Sequence, residues 1–367
     1  MPAPARTVRV SLTRTVDDSY DILIRPGLLA EIAADLAEAR FGQAYALICD
    51  STTEELFGRR LLADLTSRGL PAQLFGVPAG EASKSIETFA GLLASLKTAR
   101  FTRKDCVIAL GGGMVGDLSG FVAGCYMRGL PFVQIPTTLL AQVDSSVGGK
   151  VAVNVKDGKN YCGLFHQPRR VYIDPTTLSS LPRDQLLSGL AEVLKHALIA
   201  DRSFYDFLLE NAPAVLGLAP EAVSHLVATS CAIKAKVVEA DEREAGLRMI
   251  LNYGHTIGHA IEDAMAYALP HGQCVAYGMR VVARAARDLD LLPEPDYQAH
   301  ETLLDAYGLA TEPLRLDPDR IMTLALGDKK AGRDRLVFVV PRAIGRVEIR
   351  DDLDHAAVTR ALGHILA

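Results

Sequence analysis

Short apolar runs alternate with longer amphipathic stretches through the first half of the chain. YDILI, AYALICD, AQLFGV, DCVIAL and FVQIP are each bounded by polar residues, glycine or proline, and RVYIDP adds one more. Between them, LAEIAADLAEA and SIETFAGLLASLKTA repeat their apolar residues at helical spacing. This alternation predicts a layered α/β unit around a largely parallel sheet. After LSSLPRDQ the pattern changes. QLLSGLAEVLKHALIA, SFYDFLLENA, AVSHLVATSCAIKAKVVEAD and CVAYGMRVVARAARDLDLL all read as helices, and only DRLVFVVPRAIG looks extended. Pro182 suits a first helical position. Two domains are expected, an α/β domain over 1–180 and a mainly helical one over 181–367, as the length also suggests.

One helical stretch breaks the amphipathic rule. In LRMILNYGHTIGHAIEDAM, residues 247–265, the positions Arg248, Asn252, His255 and His259 follow one another at steps of 4, 3 and 4. On a continuous helix that spacing gathers a guanidinium, an amide and two imidazoles on one face.

Composition narrows the classes. A hydrophobic fraction of 49% and a charged fraction of 23% fit a globular protein. The net charge of −5 gives no attraction for nucleic acid. No apolar run reaches the roughly 18 residues of a membrane span. The start, MPAPARTVRVSLTR, has no apolar stretch behind its charges, so no export signal and a cytoplasmic location are expected. Six cysteines are scattered without CxxC spacing, which argues against thiolate zinc and against a disulfide framework.

The candidate chemistry begins at a glycine turn. In DCVIALGGGMVGDLSGFVAG, Gly111, Gly113 and Gly116 satisfy G-x-G-x-x-G between a strand and a helix. Such glycines let backbone N–H groups approach a pyrophosphate at a helix N-terminus, the Rossmann-like mode of holding a dinucleotide. The acidic residue expected about 20 positions later to hold the ribose is missing from FVQIPTT. Asp50, ending an earlier strand, is a substitute, and Glu81 and Lys84 in PAGEASK form another polar loop within reach.

A metal site is the second candidate. His255 and His259 stand at i and i+4, a spacing able to place two imidazoles on one ion, and His271 opens HGQCVAYGM. Upstream, Glu192 and Lys195 lie off the apolar face of their helix. Two histidines and a glutamate form a catalytic zinc set with one position left open, but spacing does not choose between His255, His259 and His271. The segment TTLLAQVDSSVGGKVAVNVKDGKNYCGLFHQP, residues 137–168, is rich in groups that hold phosphates and hydroxyls. With Lys234, Lys329 and Lys330 it points to an anionic substrate beside the dinucleotide.

ALGGGMVGDLSGFVAGCYMRG, QIPTTLLAQVDSSVGGKVAVN, GLAEVLKH, DEREAGLRMILNYGHTIGHAIE and HGQCVAYGM together resemble the 3-dehydroquinate synthase family, in the family's order, over about residues 45–345. The resemblance implies conversion of 3-deoxy-D-arabino-heptulosonate 7-phosphate to 3-dehydroquinate and phosphate. It also implies bound NAD, one divalent metal (zinc, or cobalt) and a homodimer. Metal ligands would be Glu192, His255 and His271, leaving His259 for the substrate. Lys150, Asn160, Lys195, Lys234, Arg248, Asn252 and a lysine of DKK, Lys329 or its neighbour Lys330, match the substrate pocket. Arg128 matches an arginine that reaches the phosphate bound by the second subunit. Cofactor positions resemble Asp50, Glu81, Lys84, Gly112, Gly113, Met114, Asp117, Thr137, Thr138, Asp144, Lys150, Lys159, Thr177 and Leu178. The match is loosest at CDST, where the family often carries Asn at the position of Thr52.

Other readings stay within reach of the same motifs. Another sugar phosphate cyclase would share the glycine turn and the metal stripe, and several such cyclases take heptulose phosphates that lack a carboxylate. A metal-dependent polyol dehydrogenase would perform net oxidoreduction and would more often place Asp among its ligands. A non-catalytic nucleotide-binding protein would have no need for so many polar positions.

Overall fold

The computed structural model describes residues 8–13, 15–156, 158–327 and 336–367. Lys329 and Lys330 lie outside the described residues. The strands are β1 (Asp21–Ile24), β2 (Tyr45–Asp50), β3 (Ala72–Val77), β4 (Cys106–Gly111), β5 (Phe132–Pro136), β6 (Lys150–Val155), β7 (Gly158–Phe165), β8 (Arg170–Ile173), β9 (Phe338–Ala343) and β10 (Arg346–Arg350). Six of them form one parallel sheet in the order β1-β8-β5-β4-β2-β3. These six are the apolar runs read from the sequence. Every residue of β2, β4 and β5 is buried, as expected for central strands covered on both faces.

Alternate residues of β2 feed two separate cores. Ala46 and Ile48 pack with Leu92, Leu96, Leu118 and Phe121, from the helices α3 (Ile86–Thr98) and α4 (Gly113–Cys125). Tyr45, Leu47 and Cys49 face Ile32, Leu36, Leu61 and Leu65, from α1 (Ile32–Ala39) and α2 (Arg59–Ser67). A period of two thus sandwiches the sheet between helical layers.

The order of strands turns at the β2–β4 pair. From β2 the chain moves out to β3, returns to the far side of β2 as β4, and continues outward through β5. Ligands of open parallel sheets bind at such a switch point, beyond the C-terminal strand ends. Cys49 pairs in register with Leu110, so Asp50 and Gly111 end side by side there. The strand adjacent to β4 across the crevice comes earlier in the chain, so the acid beside the glycine turn, Asp50, precedes the glycines in sequence.

Among the described residues from Arg183 onward, regular structure is helical apart from the β9–β10 hairpin and an isolated bridge between Leu314 and Leu366. The main helices are α5 (Arg183–Ala200), α6 (Arg202–Glu210), α7 (Pro220–Ala240), α8 (His255–Ala264), α9 (His271–Asp288), α10 (Glu294–Ala306), α11 (Pro318–Gly327) and α12 (His355–Leu362). Pro182 is the N-cap of α5, one position before its expected place. Their common core also takes in Leu139, Val143, Val147, Val171 and Ile173 from the first half of the chain. No helix among the described residues is long and apolar enough to cross a membrane.

Two readings are corrected. Part of the polar segment 137–168, to which the sequence assigned no strand, is an antiparallel hairpin of β6 and β7. And the polar stripe is not one helical face. Leu247–Asn252 forms a short 3-10 turn, Gly254 takes φ 79°, and α8 starts only at His255. The cause is close packing on α9. A Cβ on Gly254 would stand 2.6 Å from the Met279 Cγ, and one on Gly278 only 1.9 Å from the Gly254 carbonyl oxygen. Backbones this close require glycine and an abrupt entry into α8.

Candidate active site

The buried polar cluster starts on α5, which is enclosed on almost every side. Glu192 and Lys195, one turn apart, are 0% and 1% exposed, and they pair with each other through Glu192 Oε2. The other carboxylate oxygen, Oε1, accepts no hydrogen bond among the described residues. Instead it faces His255 Nε2 at 3.5 Å and His271 Nε2 at 3.7 Å. Ligands about 2.0–2.1 Å from a tetrahedral metal lie roughly 3.4 Å apart. A buried, unbonded carboxylate oxygen beside two imidazole nitrogens at that separation fits a divalent metal.

Each imidazole is aimed by its far nitrogen. His255 Nδ1 lies 3.1 Å from the Tyr253 carbonyl oxygen, which the break before α8 turns toward it. His271 Nδ1 lies 3.1 Å from Glu262 Oε2. Both Nδ1 atoms therefore donate, and both Nε2 atoms are left as acceptors. Burial, then Lys195 and the neighbouring rings, push the His255 pKa well down. Burial also works against charge on His271, but Glu262 and Glu192 outweigh it and raise that pKa. His259 joins the group, its ring 5.3 Å from that of His255 and 5.7 Å from that of His271. Ligand atoms of the three histidines all lie within 4.8 Å of one another, so ring positions alone also admit His259 as a ligand.

Cations gather beside this centre. Lys234 is buried, and its ammonium donates to the Asp144 carboxylate and carbonyl, each at 2.5 Å. Burial opposes charge on Asp144, yet Lys234 and Lys195 hold its pKa far below the usual range. Next along α5, His196 is fully buried, and burial and then Lys195 press its pKa down to about 3, so it is neutral at neutral pH. Arg248 is 3% exposed and lies against the SSVGGK turn. Its guanidinium donates to the carbonyls of Gly148, at 3.3–3.4 Å, and Glu242. No carboxylate among the described residues accepts from that guanidinium; Asp241 accepts from the Arg248 backbone N–H. A Cβ on Gly148, where φ is 98°, would stand 2.5 Å from Arg248 Nη2, so this glycine makes room for the guanidinium. Lys150 pairs with Glu244, whose other oxygen accepts from Asn252 at 3.0 Å.

At the β2–β4 crevice the glycines form the expected cradle. Side chains on Gly112, Gly113 and Gly116 would meet Thr138, Ser145 and Gln134 at 3.0, 3.0 and 2.9 Å. Gly112 caps α4 without a side-chain hydrogen bond, so the first N–H groups of that helix are left for an anion. Met114 follows in its first turn. Thr137 and Thr138 follow β5, and Thr137 N donates to the Gly111 carbonyl. These features fit a dinucleotide phosphate. Lys84 binds Asp117 Oδ2 and Asn160 Oδ1, both at 2.5 Å, and Asn154 links Glu81 to the same hairpin. Burial raises the Asp117 pKa despite Lys84.

Some expected residues have other tasks or stand apart. Asp50 caps the turn after β2, with Oδ1 accepting from Thr52 N and Thr53 N, so only part of its carboxylate is left for a ribose. Thr177 and Leu178 have buried side chains, and the Thr177 hydroxyl is bonded to Asp174 and Gln142. Lys159 reaches Glu262 rather than the glycine turn. Arg128 is exposed in the turn Tyr126–Arg128, with φ 71°, and no hydrogen bond or ion pair among the described residues ties it to the cluster. The structure adds Glu244, Glu262 and His196, which the sequence reading passed over. Glu262 was within reach of pattern, since it continues the His255, His259 spacing by three. Glu244 had no such signal, because its position follows from a loop with φ 58°.

Comparison with known proteins agrees with this architecture. Residues 74–188 match the family profile described as 3-dehydroquinate synthase N-terminal, and residues 189–331 match the C-terminal one. The 3-dehydroquinate synthase of Desulforamulus reducens is 46% identical over 346 residues, 94% of this chain and 96% of the relative. Among solved structures, the 2-epi-5-epi-valiolone synthase ValA of Streptomyces hygroscopicus subsp. jinggangensis, with NAD+ and Zn2+ bound, superposes with a TM-score of 0.88 at 29% identity, covering 97% of this chain and 99% of that one. A 2-deoxy-scyllo-inosose synthase complexed with carbaglucose-6-phosphate, NAD+ and Co2+ gives a TM-score of 0.86 at 27% identity, covering 94% and 96%.

Proposed function

The chain belongs to the 3-dehydroquinate synthase family, and from that membership we propose how its residues divide the work. The enzyme is an NAD- and metal-dependent lyase that converts 3-deoxy-D-arabino-heptulosonate 7-phosphate to 3-dehydroquinate and phosphate, in the shikimate pathway to the aromatic amino acids. NAD supplies reversible oxidation of one ring alcohol, and a divalent metal, zinc or cobalt, supplies the Lewis acidity that polarises neighbouring oxygens.

The observation that carries the site reading is the unbonded Glu192 Oε1 facing His255 Nε2 and His271 Nε2. Glu192, His255 and His271 would hold the metal. His259 then lines the substrate side. Residues 1–180 would hold the cofactor along the β2–β4 crevice, with the pyrophosphate on the α4 N-terminus and Asp50, Glu81, Lys84, Asp117, Thr137, Thr138 and Asp144 around it. Residues 181–367 would supply the metal and most of the substrate contacts.

Lys150 and Asn252 now bind the carboxylate of Glu244, which marks the pair as an anion site. A substrate oxygen would take the place of Glu244 there. Phosphate departure needs no side-chain base in this scheme, because an oxygen of the departing phosphate takes the neighbouring C–H proton. Lys150, Asn160, Lys195, Lys234, Asn252 and His259 would steady the charge that develops. Arg128, exposed on its turn, suits contact with the substrate phosphate of a second copy, in a cytoplasmic homodimer. From the resemblance, Lys329 or its neighbour Lys330 would also contact the substrate.

Incubating the protein with NAD, zinc and the heptulosonate phosphate tests the reaction. Phosphate should accumulate with no lasting rise in NADH absorbance, because each hydride returns to the substrate. NADH build-up in step with product would instead indicate a dehydrogenase.

Arg248 decides between cyclases. Its guanidinium is buried and bound only by neutral carbonyl oxygens among the described residues, so it retains a charge for the substrate carboxylate. Arg248→Lys keeps the charge and loses the planar fork. Charge-assisted hydrogen bonds are worth about 1.5–3 kcal/mol, so kcat/KM on the heptulosonate phosphate should fall about tenfold to a hundredfold with metal content intact. Unchanged kcat/KM would remove the carboxylate role. Preference of the wild type for sedoheptulose 7-phosphate, which lacks the carboxylate, would point to a different cyclase.

A further inference from the structure

We infer that Glu262, held by Lys159, is a positioning residue for the metal site: it fixes the ring of His271 so that Nε2 stands beside Glu192. The inference rests on Glu192, His255 and His271 being the ligands.

The two histidines are oriented by different means. His255 is held locally, by the carbonyl of Tyr253 two residues earlier. His271 is the first residue of α9, where no side-chain cap restrains the backbone, and its side chain is 30% exposed against 15% for His255. Its Nδ1 is held by one group from another helix, Glu262 Oε2 at 3.1 Å. A ring in that position turns freely about its side-chain bonds unless something outside its own helix holds it.

Glu262 is suited to the task. It is 7% exposed on α8, on the face that carries His255 and His259. α8 therefore supplies one ligand and also the residue that aims the second. Both carboxylate oxygens are engaged, Oε2 by His271 and Oε1 by Lys159 Nζ at 2.8 Å. Lys159 in turn sits 4.0 Å from the centre of the Tyr267 ring. The ammonium keeps the carboxylate in one rotamer and balances its charge.

The lysine comes from the β6–β7 hairpin. The next residue, Asn160, is bonded to Lys84, which also binds Asp117. Consecutive residues of one hairpin thus hold a residue behind the metal ligand and a residue of the cofactor cluster. Lys159, expected from the resemblance to serve the cofactor, has a metal-side task in this geometry.

The test is zinc affinity, measured by chelator competition on purified protein, with the cobalt(II) absorption spectrum as a second readout. Loss of a group that orients a metal-bound histidine lowers affinity about 10–100-fold. Glu262→Ala should fall in that range and shift the cobalt bands. Glu262→Gln should lose less, because its carbonyl still accepts from Nδ1–H. Lys159→Met should weaken zinc about threefold to tenfold. In the Glu262 variants Lys159 loses its partner, but its side chain is 41% exposed, so this costs little folding stability. His271→Ala is the control for the ligands. If it loses zinc while Glu262→Ala and Glu262→Gln keep wild-type affinity and cobalt spectra, the positioning role is wrong and the ligand set stands. If His271→Ala binds zinc as the wild type does, the ligand set itself is wrong. Should Glu262→Ala not fold, the glutamine variant alone decides: unchanged affinity and spectrum overturn the inference.

Discussion

Glu192→Gln is expected to leave the protein without bound metal and to lower turnover by about a thousandfold or more. Lewis-acid stabilisation of a transition state is worth several kcal/mol, and each 1.4 kcal/mol or so is a factor of ten. The substitution keeps the shape of the side chain and removes the charge that both histidines face. It also acts on stability. Lys195 is 1% exposed and pairs with Glu192, so neutralising the acid leaves an ammonium in the core without its counter-charge. Breaking a buried pair from one side costs about 3–5 kcal/mol. Urea unfolding of the metal-free protein should show that loss. Replacing both partners with apolar residues, Glu192→Leu with Lys195→Met, should recover most of the stability and none of the activity. Metal analysis separates the two ligand sets that the geometry admits. If Glu192→Gln retains one zinc per chain at wild-type affinity, the ion sits among His255, His259 and His271 instead.

That choice of ligands shows where the sequence stops being informative. The six strands of the sheet were legible because buried parallel strands are continuous apolar runs, and the glycine turn was legible because it sits between a strand and a helix. The hairpin at 150–165 was not, since β6 is short, β7 is largely exposed, and lysine, asparagine and glycine interrupt the apolar pattern of β7. The stripe from Arg248 to His259 had helical spacing but not a helix. Spacing carries no information about the backbone of α9, which lies too close to Gly254 for the helix to run straight through. Glu192 and Lys195 lie off the apolar face of their helix in sequence, and a charged pair in that position suggests an exposed edge. Instead α5 is covered nearly all round, and inside it Lys195 pairs with Glu192 Oε2 and leaves Oε1 unbonded. Asp50 stands where the sequence placed it, at the end of β2. Its cap on the following turn depends on a local fold that the four letters CDST do not reveal.

Gly272→Ala is expected to damage the metal site without touching a ligand. A Cβ on Gly272 would stand 2.1 Å from the Ser188 carbonyl oxygen and 2.6 Å from the Ser188 Cα. Both are backbone atoms of α5, so no side chain can turn aside, and α9 must move away from α5 by about 1 Å to reach ordinary contact. Ser188 lies one turn before Glu192, and Gly272 directly follows His271, so the shift falls on the gap that now measures 3.7 Å between Glu192 Oε1 and His271 Nε2. The Gly272 N–H bond to Ser188 Oγ, now 3.0 Å, would lengthen with it. Overpacking of this kind costs about 1–3 kcal/mol, and a displacement of about 1 Å at a reacting centre costs on the order of a hundredfold in rate. The expected result is a lower melting temperature, weaker zinc binding and about a hundredfold lower kcat, with partial recovery at high zinc. Gly91→Ala is the matched control. A Cβ there meets nothing within 4 Å, on the exposed side of α3, so the change should be neutral or stabilise by about 0.5–1 kcal/mol. Wild-type zinc affinity and kcat in Gly272→Ala would show that the contact between α5 and α9 does not set the spacing of the ligands.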